Sequence, residues 1–116
     1  MSSIQRYHVG PRLSEIVVHN NTVYLAGQVA ESLEKTVRGQ ADEVLAAIDR
    51  LLGEVGSDKQ KLLSVTIYLA DMADYDAMNE AWSEWVSSGN TPARATVEAR
   101  LADPRYKVEM SVTAAL

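Results

Sequence analysis

From Thr91 to Leu116 the chain reads TPARATVEARLADPRYKVEMSVTAAL, two runs of alternating apolar and polar residues around Ala102-Asp103-Pro104. In the first run Ala95, Val97, Ala99 and Leu101 alternate with Arg94, Thr96, Glu98 and Arg100. In the second, Val108, Met110, Val112 and Ala114 alternate with Lys107, Glu109, Ser111 and Thr113. A period of two is the mark of strands with one buried face, so this stretch predicts two strands of a sheet and excludes an all-helical fold. If Pro104 sits in a tight hairpin turn, facing residues have numbers summing to roughly 207. That register sets Arg94 opposite Thr113 and Glu109 near Glu98, all on one face, with Arg94 and Glu109 about four residues or ~13 Å apart.

The rest of the chain supplies partners for those strands. Residues 1–13 show little periodicity, and Gly10-Pro11 punctuates them as a turn. Ile16 to His19 and Thr22 to Ala26 flank Asn20-Asn21, a pair suited to the positive φ angles of a two-residue hairpin turn. Gly27 to Lys35 loses the alternation and reads as a loop. From Thr36 the apolar residues Val37, Ala41, Val44, Ile48, Leu51, Leu52 and Val55 form one helical stripe, ended by Gly53 and Gly56. Leu63, Val65, Ile67 and Leu69 predict a further strand. Asp71 to Asp74 then supplies turn residues and a cap for a second helix, with Tyr75, Met78, Trp82, Trp85 and Val86 on one stripe and Pro92 blocking its extension. One of the two tryptophans is expected in the core.

The predicted order is β-β-α-β-α-β-β, a single α+β domain spanning residues 1–116 with a mixed sheet and both helices on one face. The other face must meet water or another subunit. Tyr24, Thr66 and Tyr68 fall on it, which suits a surface packed against identical subunits.

Composition closes off several kinds of chemistry. The 116 residues contain no Cys, so thiolate nucleophiles and cysteine metal sites are excluded. His8 and His19 stand alone, without acidic residues at ligand spacing, so no metal is expected. A net charge of -5 argues against nucleic acid, whose binding rests on clustered cations. No run approaches a membrane span or a signal peptide, and a cytoplasmic location is the expectation. Arg94 and Glu109 are the candidate chemical groups. A guanidinium can hold a carboxylate in a two-bond fork and a carboxylate can orient or deprotonate water, a pairing that suits hydrolysis. An ordinary charged sheet face is the other reading of the same pattern.

TPARATVEARL and YKVEMSVTAAL, with VYLAGQ at 23–28 and YDAMNEAWSEW at 75–85, resemble the Rid family, the reactive intermediate deaminases formerly called YjgF-like proteins. The likeness runs from about Gly10 to the C-terminus, within a branch whose loop after Gly27-Gln28 is short. It implies a chorismate-mutase-like α+β subunit, a homotrimer with three intersubunit clefts, and cofactor-independent hydrolysis of enamines and imines such as 2-aminoacrylate to 2-keto acids and ammonia. By the same resemblance Arg94 matches the residue that holds the substrate carboxylate and Glu109 the one that positions water. Gly27 matches a cleft glycine and Asn79 an asparagine that shapes the site, while Thr96 and Arg12 occupy further cleft positions. Many family members carry Cys at the position of Thr96, Ser at that of Ala26 and Tyr at that of Arg12. A trimer that binds small carboxylates or keto acids without turnover, as a sensor or interaction module, is the alternative.

Overall fold

Asn20 and Asn21 adopt φ angles of 51° and 60°, the left-handed pair that a type I′ turn requires, in the computed structural model, which describes residues 3–116. They join β2 (Ser14–His19) to β3 (Thr22–Gln28), with His19 paired to Thr22, so the expected hairpin forms. Upstream, where no element is expected, β1 (Gln5–Val9) pairs antiparallel with β2. Only Tyr7 of this edge strand is even partly buried, so an apolar alternation had nothing to record. His8 breaks the pattern further: its φ of 54° lets the imidazole reach Glu54, with Nε2 2.6 Å from Oε2.

The first helix, α1 (Val37–Glu54), begins at Thr36, whose hydroxyl accepts from the Gly39 amide at 3.3 Å. It ends in a Schellman motif. Gly56 takes a φ of 81°, its amide donates to the Gly53 carbonyl, and the Ser57 amide donates to Leu52. Next come β4 (Leu62–Leu69), α2 (Tyr75–Trp85), β5 (Ala93–Glu98) and β6 (Val108–Ala115), with single turns of 3-10 helix at Lys59–Lys61 and Met72–Asp74. Asp71 caps the second of these through the Ala73 amide, while Asp74, at the start of α2, makes no side-chain cap bond. Leu63 departs from its predicted core position: a register shift between Leu62 and Ser64 turns it outward, 51% exposed.

The six strands lie in the order β1-β2-β3-β6-β4-β5. The hairpin expected of the last two strands does not form, because β4 lies between them, antiparallel to β6 and parallel to β5. A helical crossover returns the chain parallel to the strand it left: after α2, β5 lies directly beside β4, and after α1, β4 lies parallel to β3 with β6 filling the gap between them.

Both helices pack on one face, where Ile16, Val23, Leu25, Val65, Ile67, Leu69, Val108, Met110 and Val112 meet Leu45, Ile48, Leu52, Met78 and Trp82. Trp82 is the core tryptophan. Trp85 is half-buried, with its indole N–H on Asp49 at 2.8 Å. The opposite face has no helix over it and carries Tyr24, Thr66, Tyr68, Ala95, Val97, Glu109, Ser111 and Thr113. Among the described residues no helix is long and apolar enough to cross a membrane.

Two polar residues of α1 secure the loops. Gln40 is fully buried; its Nε2 donates to the carbonyls of Leu33, Lys35 and Arg105 at 3.0–3.2 Å, and its Oε1 accepts from the Lys107 amide at 2.9 Å. Glu43 accepts from Lys35 at 2.7 Å and from the amides of Ser32 and Glu31 at 3.0 and 3.1 Å. These bonds, the Lys35 one foremost, hold its carboxyl at about 2, against an ordinary 4.5. A carboxyl lowered on folding stabilises the fold above its unfolded pKa and loses that contribution as pH falls towards the folded value. The stability advantage of the wild type over Glu43→Gln is therefore present at pH 7 and closes as pH falls from 4.5 to about 2, measured by chemical denaturation at each pH. A gap that stays constant across that range would contradict this role.

Candidate functional site

The six candidate residues fall into two groups and one outlier. On the helix side, Arg94 sits level with Val65 and Val112, so its side chain rises beside α2. Its Nη1 donates to Asn79 Oδ1 at 2.7 Å and its Nη2 to the Tyr75 hydroxyl at 3.2 Å. The guanidinium also lies over the Trp82 ring at 5.2 Å and the Tyr75 ring at 5.9 Å. Among the described residues no carboxylate pairs with it. Of five N–H donors two are used, so a fixed cation remains with donors to offer an anion. Thr96, two residues along on the same face, has a buried hydroxyl with no hydrogen-bond partner.

On the open face, Glu109 pairs with Tyr68 and projects away from the helices. The register of β3 shifts between Leu25 and Gln28, and Gly27 in that irregularity lies beneath the Glu109 side chain. A Cβ at position 27 would overlap Oε2 of Glu109 and stand 3.0 Å from its Cδ, so glycine makes the room for this carboxylate. Glu109 makes no hydrogen bond or ion pair within the chain and lines a cavity of about 320 Å³ with Tyr68, Ser111 and Arg100.

The sheet thus corrects the sequence reading of this pair. Arg94 and Glu109 are on opposite faces, because Arg94 shares its face with Val65 and Val112 whereas Glu109 shares its face with Tyr68 and Val97. Ala95 and Val97, read as the buried side of β5, lie on the open face, with Val97 41% exposed. Glu98 is not near Glu109 either; it accepts from the Met72 amide at 2.9 Å on the helix side. Arg12 is the outlier. It is exposed in the β1–β2 connection, four strand spacings or about 20 Å across the sheet from β5.

Tyr75 and Trp82 were not singled out as site residues, although a signal existed. Positions 75, 79 and 82 follow the i, i+4, i+7 spacing of one helix face, so any group held by Asn79 meets all three. Among the described residues no group of three or more acidic or histidine side chains is placed to hold a metal ion.

The fold is therefore an α+β domain with a glycine-spaced carboxylate on the open face of a mixed sheet and an aromatic-cradled arginine on its parallel edge strand. The Endoribonuclease L-PSP family matches residues 4–116, and the chain belongs to that family. A RutC family protein of Haemophilus influenzae is 50% identical over 113 residues, covering 97% of each chain. The crystal structure of a YjgF family protein from Neisseria meningitidis superposes with a TM-score of 0.95 at 49% identity, covering 97% of this chain and 94% of that one. More distantly, the chloroplastic Reactive Intermediate Deaminase A of Arabidopsis thaliana is 28% identical over 114 residues, which are 93% of this chain and 60% of that protein.

Gly27→Ala tests the packing directly. The obstructed atom is the far end of a flexible side chain, so Glu109 swings aside and stability changes by less than about 1 kcal/mol. A crystal structure of the variant shows Glu109 in a different rotamer. An unmoved Glu109 would show that the glycine is not what seats the carboxylate.

Proposed function

We propose that the protein hydrolyses small imines and enamines bearing a carboxylate, of the 2-aminoacrylate and 2-iminopropanoate type, in clefts between the subunits of a homotrimer. The observation that carries this reading is the placement of Arg94 and Glu109 on opposite faces of one sheet. One small molecule meets both only if the β5 edge of one chain, with Arg94, Asn79 and Thr96, docks against the open face of another, with Gly27 and Glu109. The uncovered face, with Tyr24 46% and Val97 41% exposed, supports such docking.

In that cleft Arg94 anchors the substrate carboxylate, held stiffly by Asn79, Tyr75 and Trp82. An enamine first tautomerises to its imine. Glu109 then takes a proton from water as the water oxygen bonds to the imine carbon, and the nitrogen gains that proton to give a carbinolamine. Loss of ammonia breaks the C–N bond and leaves the 2-keto acid, so one imine and one water become one keto acid and one ammonia. The carbon is already electrophilic, so neither a covalent nucleophile nor a cofactor is needed.

Binding without turnover uses the same Arg94, and the observation favouring it is that Ala26 stands where many family members carry Ser, removing a hydroxyl next to Gly27 in sequence. Against ribonuclease action stands the net charge of -5. The test is to generate 2-aminoacrylate in place with a pyridoxal-phosphate dehydratase and follow keto-acid release with the purified protein present. Acceleration supports the hydrolase. Its absence, in a trimer by mass measurement that still binds a keto acid, transfers the assignment to the binder.

A further inference from the structure

The Glu109 cavity holds a second charge that the reaction above does not use. Arg100 lines it, is exposed, and makes no hydrogen bond or ion pair within the chain. Its neighbours in sequence are committed elsewhere: Glu98 to the Met72 amide, and Arg105 to Asp103 through bonds of 2.9 and 3.1 Å. Nor do Arg100 and Glu109 neutralise each other, although both face one cavity of about 320 Å³. A guanidinium and a carboxylate that share a cavity without pairing leave room for a ligand with an anionic group at one end and an N–H or water at the other.

The segment presenting Arg100 is anchored at both ends. Ala99 N–H donates to the Leu69 carbonyl at 2.9 Å, carrying the parallel pairing of β5 one residue past Glu98. On the far side the Tyr106 amide bonds Asp103, the Arg105 carbonyl bonds buried Gln40, and the Lys107 amide returns to the same Gln40. The backbone on both sides of Arg100 is therefore fixed where it lines the cavity with Glu109, which lowers the entropy cost of using it.

We infer that Arg100 recognises a second carboxylate on the substrate, so that the preferred imines are those of amino dicarboxylic acids of four or five carbons. This rests on the imine hydrolase reading: the first carboxylate goes to Arg94 of the neighbouring chain, the imine carbon lies at Glu109, and the side-chain carboxylate reaches Arg100. A monocarboxylate needs only one guanidinium, and a cation beside the water-activating group has no task in its hydrolysis. It also offsets the repulsion that Glu109 exerts on a doubly negative substrate.

The experiment generates imines in place with amino-acid oxidases, from alanine and from aspartate or glutamate, and compares kcat and KM in the wild type, Arg100→Gln and Arg100→Lys. The wild type prefers the dicarboxylic imine. In Arg100→Gln the loss of kcat/KM on that imine exceeds the loss on the alanine imine by about tenfold or more, carried by KM, with partial recovery in Arg100→Lys. Equal losses on both substrates, or a wild type with no preference, overturn the inference while leaving the hydrolase standing. If the wild type turns over neither imine, the hydrolase reading fails and Arg100 is judged by calorimetry: 2-oxoglutarate binds more tightly than pyruvate to the wild type, and Arg100→Gln removes the difference. No difference in the wild type refutes it.

Discussion

Glu109→Gln lowers kcat for imine hydrolysis by about 10²- to 10⁴-fold, the range expected when a positioned general base is lost, with KM within about threefold of wild type. The substitution keeps the shape of the side chain over Gly27, so the site stays assembled and only proton transfer is removed. Because Glu109 has no partner within the chain, no buried group is orphaned and stability changes little. Steady-state kinetics beside a thermal melt separates these effects. A Glu109→Gln variant with undiminished kcat would mean that water is activated elsewhere and that Glu109 is surface charge.

Gln40→Leu is expected to destabilise the fold by about 2–4 kcal/mol, the cost of leaving several buried polar groups unpaired. Leucine fills a similar volume among Ala41, Val44 and the loops but supplies none of the four hydrogen bonds that Gln40 makes. The Lys107 amide and three carbonyls then lack their partner. Loss is concentrated where the loop after β3 meets the 103–107 turn, so denaturant melts show a lower midpoint and amide exchange at Lys107 rises above that of the core strands. A cost below about 1 kcal/mol would show that water replaces the side chain.

Which parts of this molecule a sequence can reveal follows from where the determining forces act. The Asn20-Asn21 turn and the Gly56 terminus depend on a few adjacent residues, and both stand in the structure. The helical stripes and the pairing of both helices with one sheet face were equally legible, since burial repeats at the period of the element. Strand adjacency was not. Nothing between Glu98 and Val108 says that β4 lies between β5 and β6; that adjacency is set by pairing between strands far apart in the chain, β6 with both β3 and β4.

The error then propagated to the candidate site. Assigning β5 by its alanines and valine gave the wrong inner face, because at this edge the helix side is filled by Trp82 and Tyr75 packing on the guanidinium of Arg94. Arg94 and Glu109 stand out by side-chain chemistry as well as by the family resemblance, Gly27 and Asn79 by the resemblance alone, and the grouping of the four came only from the fold. Two of those contacts are explicit, Glu109 over Gly27 and Arg94 on Asn79. Gln40 left no trace in the sequence, since a glutamine within an apolar stripe looks the same whether its amide is solvated or holds two loops together.

The central claim is that each cleft takes its arginine from one chain and its glutamate from another. Arg94→Ala and Glu109→Ala, each inactive alone, are mixed in equal amounts, denatured, refolded together, and assayed for imine hydrolysis. In a cyclic trimer one cleft in four then joins an intact Arg94 to an intact Glu109, and activity returns to about a quarter of the wild-type value. Recovery near that level supports a shared site. A refolded mixture, shown by mass to contain hybrid trimers, that remains as inactive as its components would contradict it.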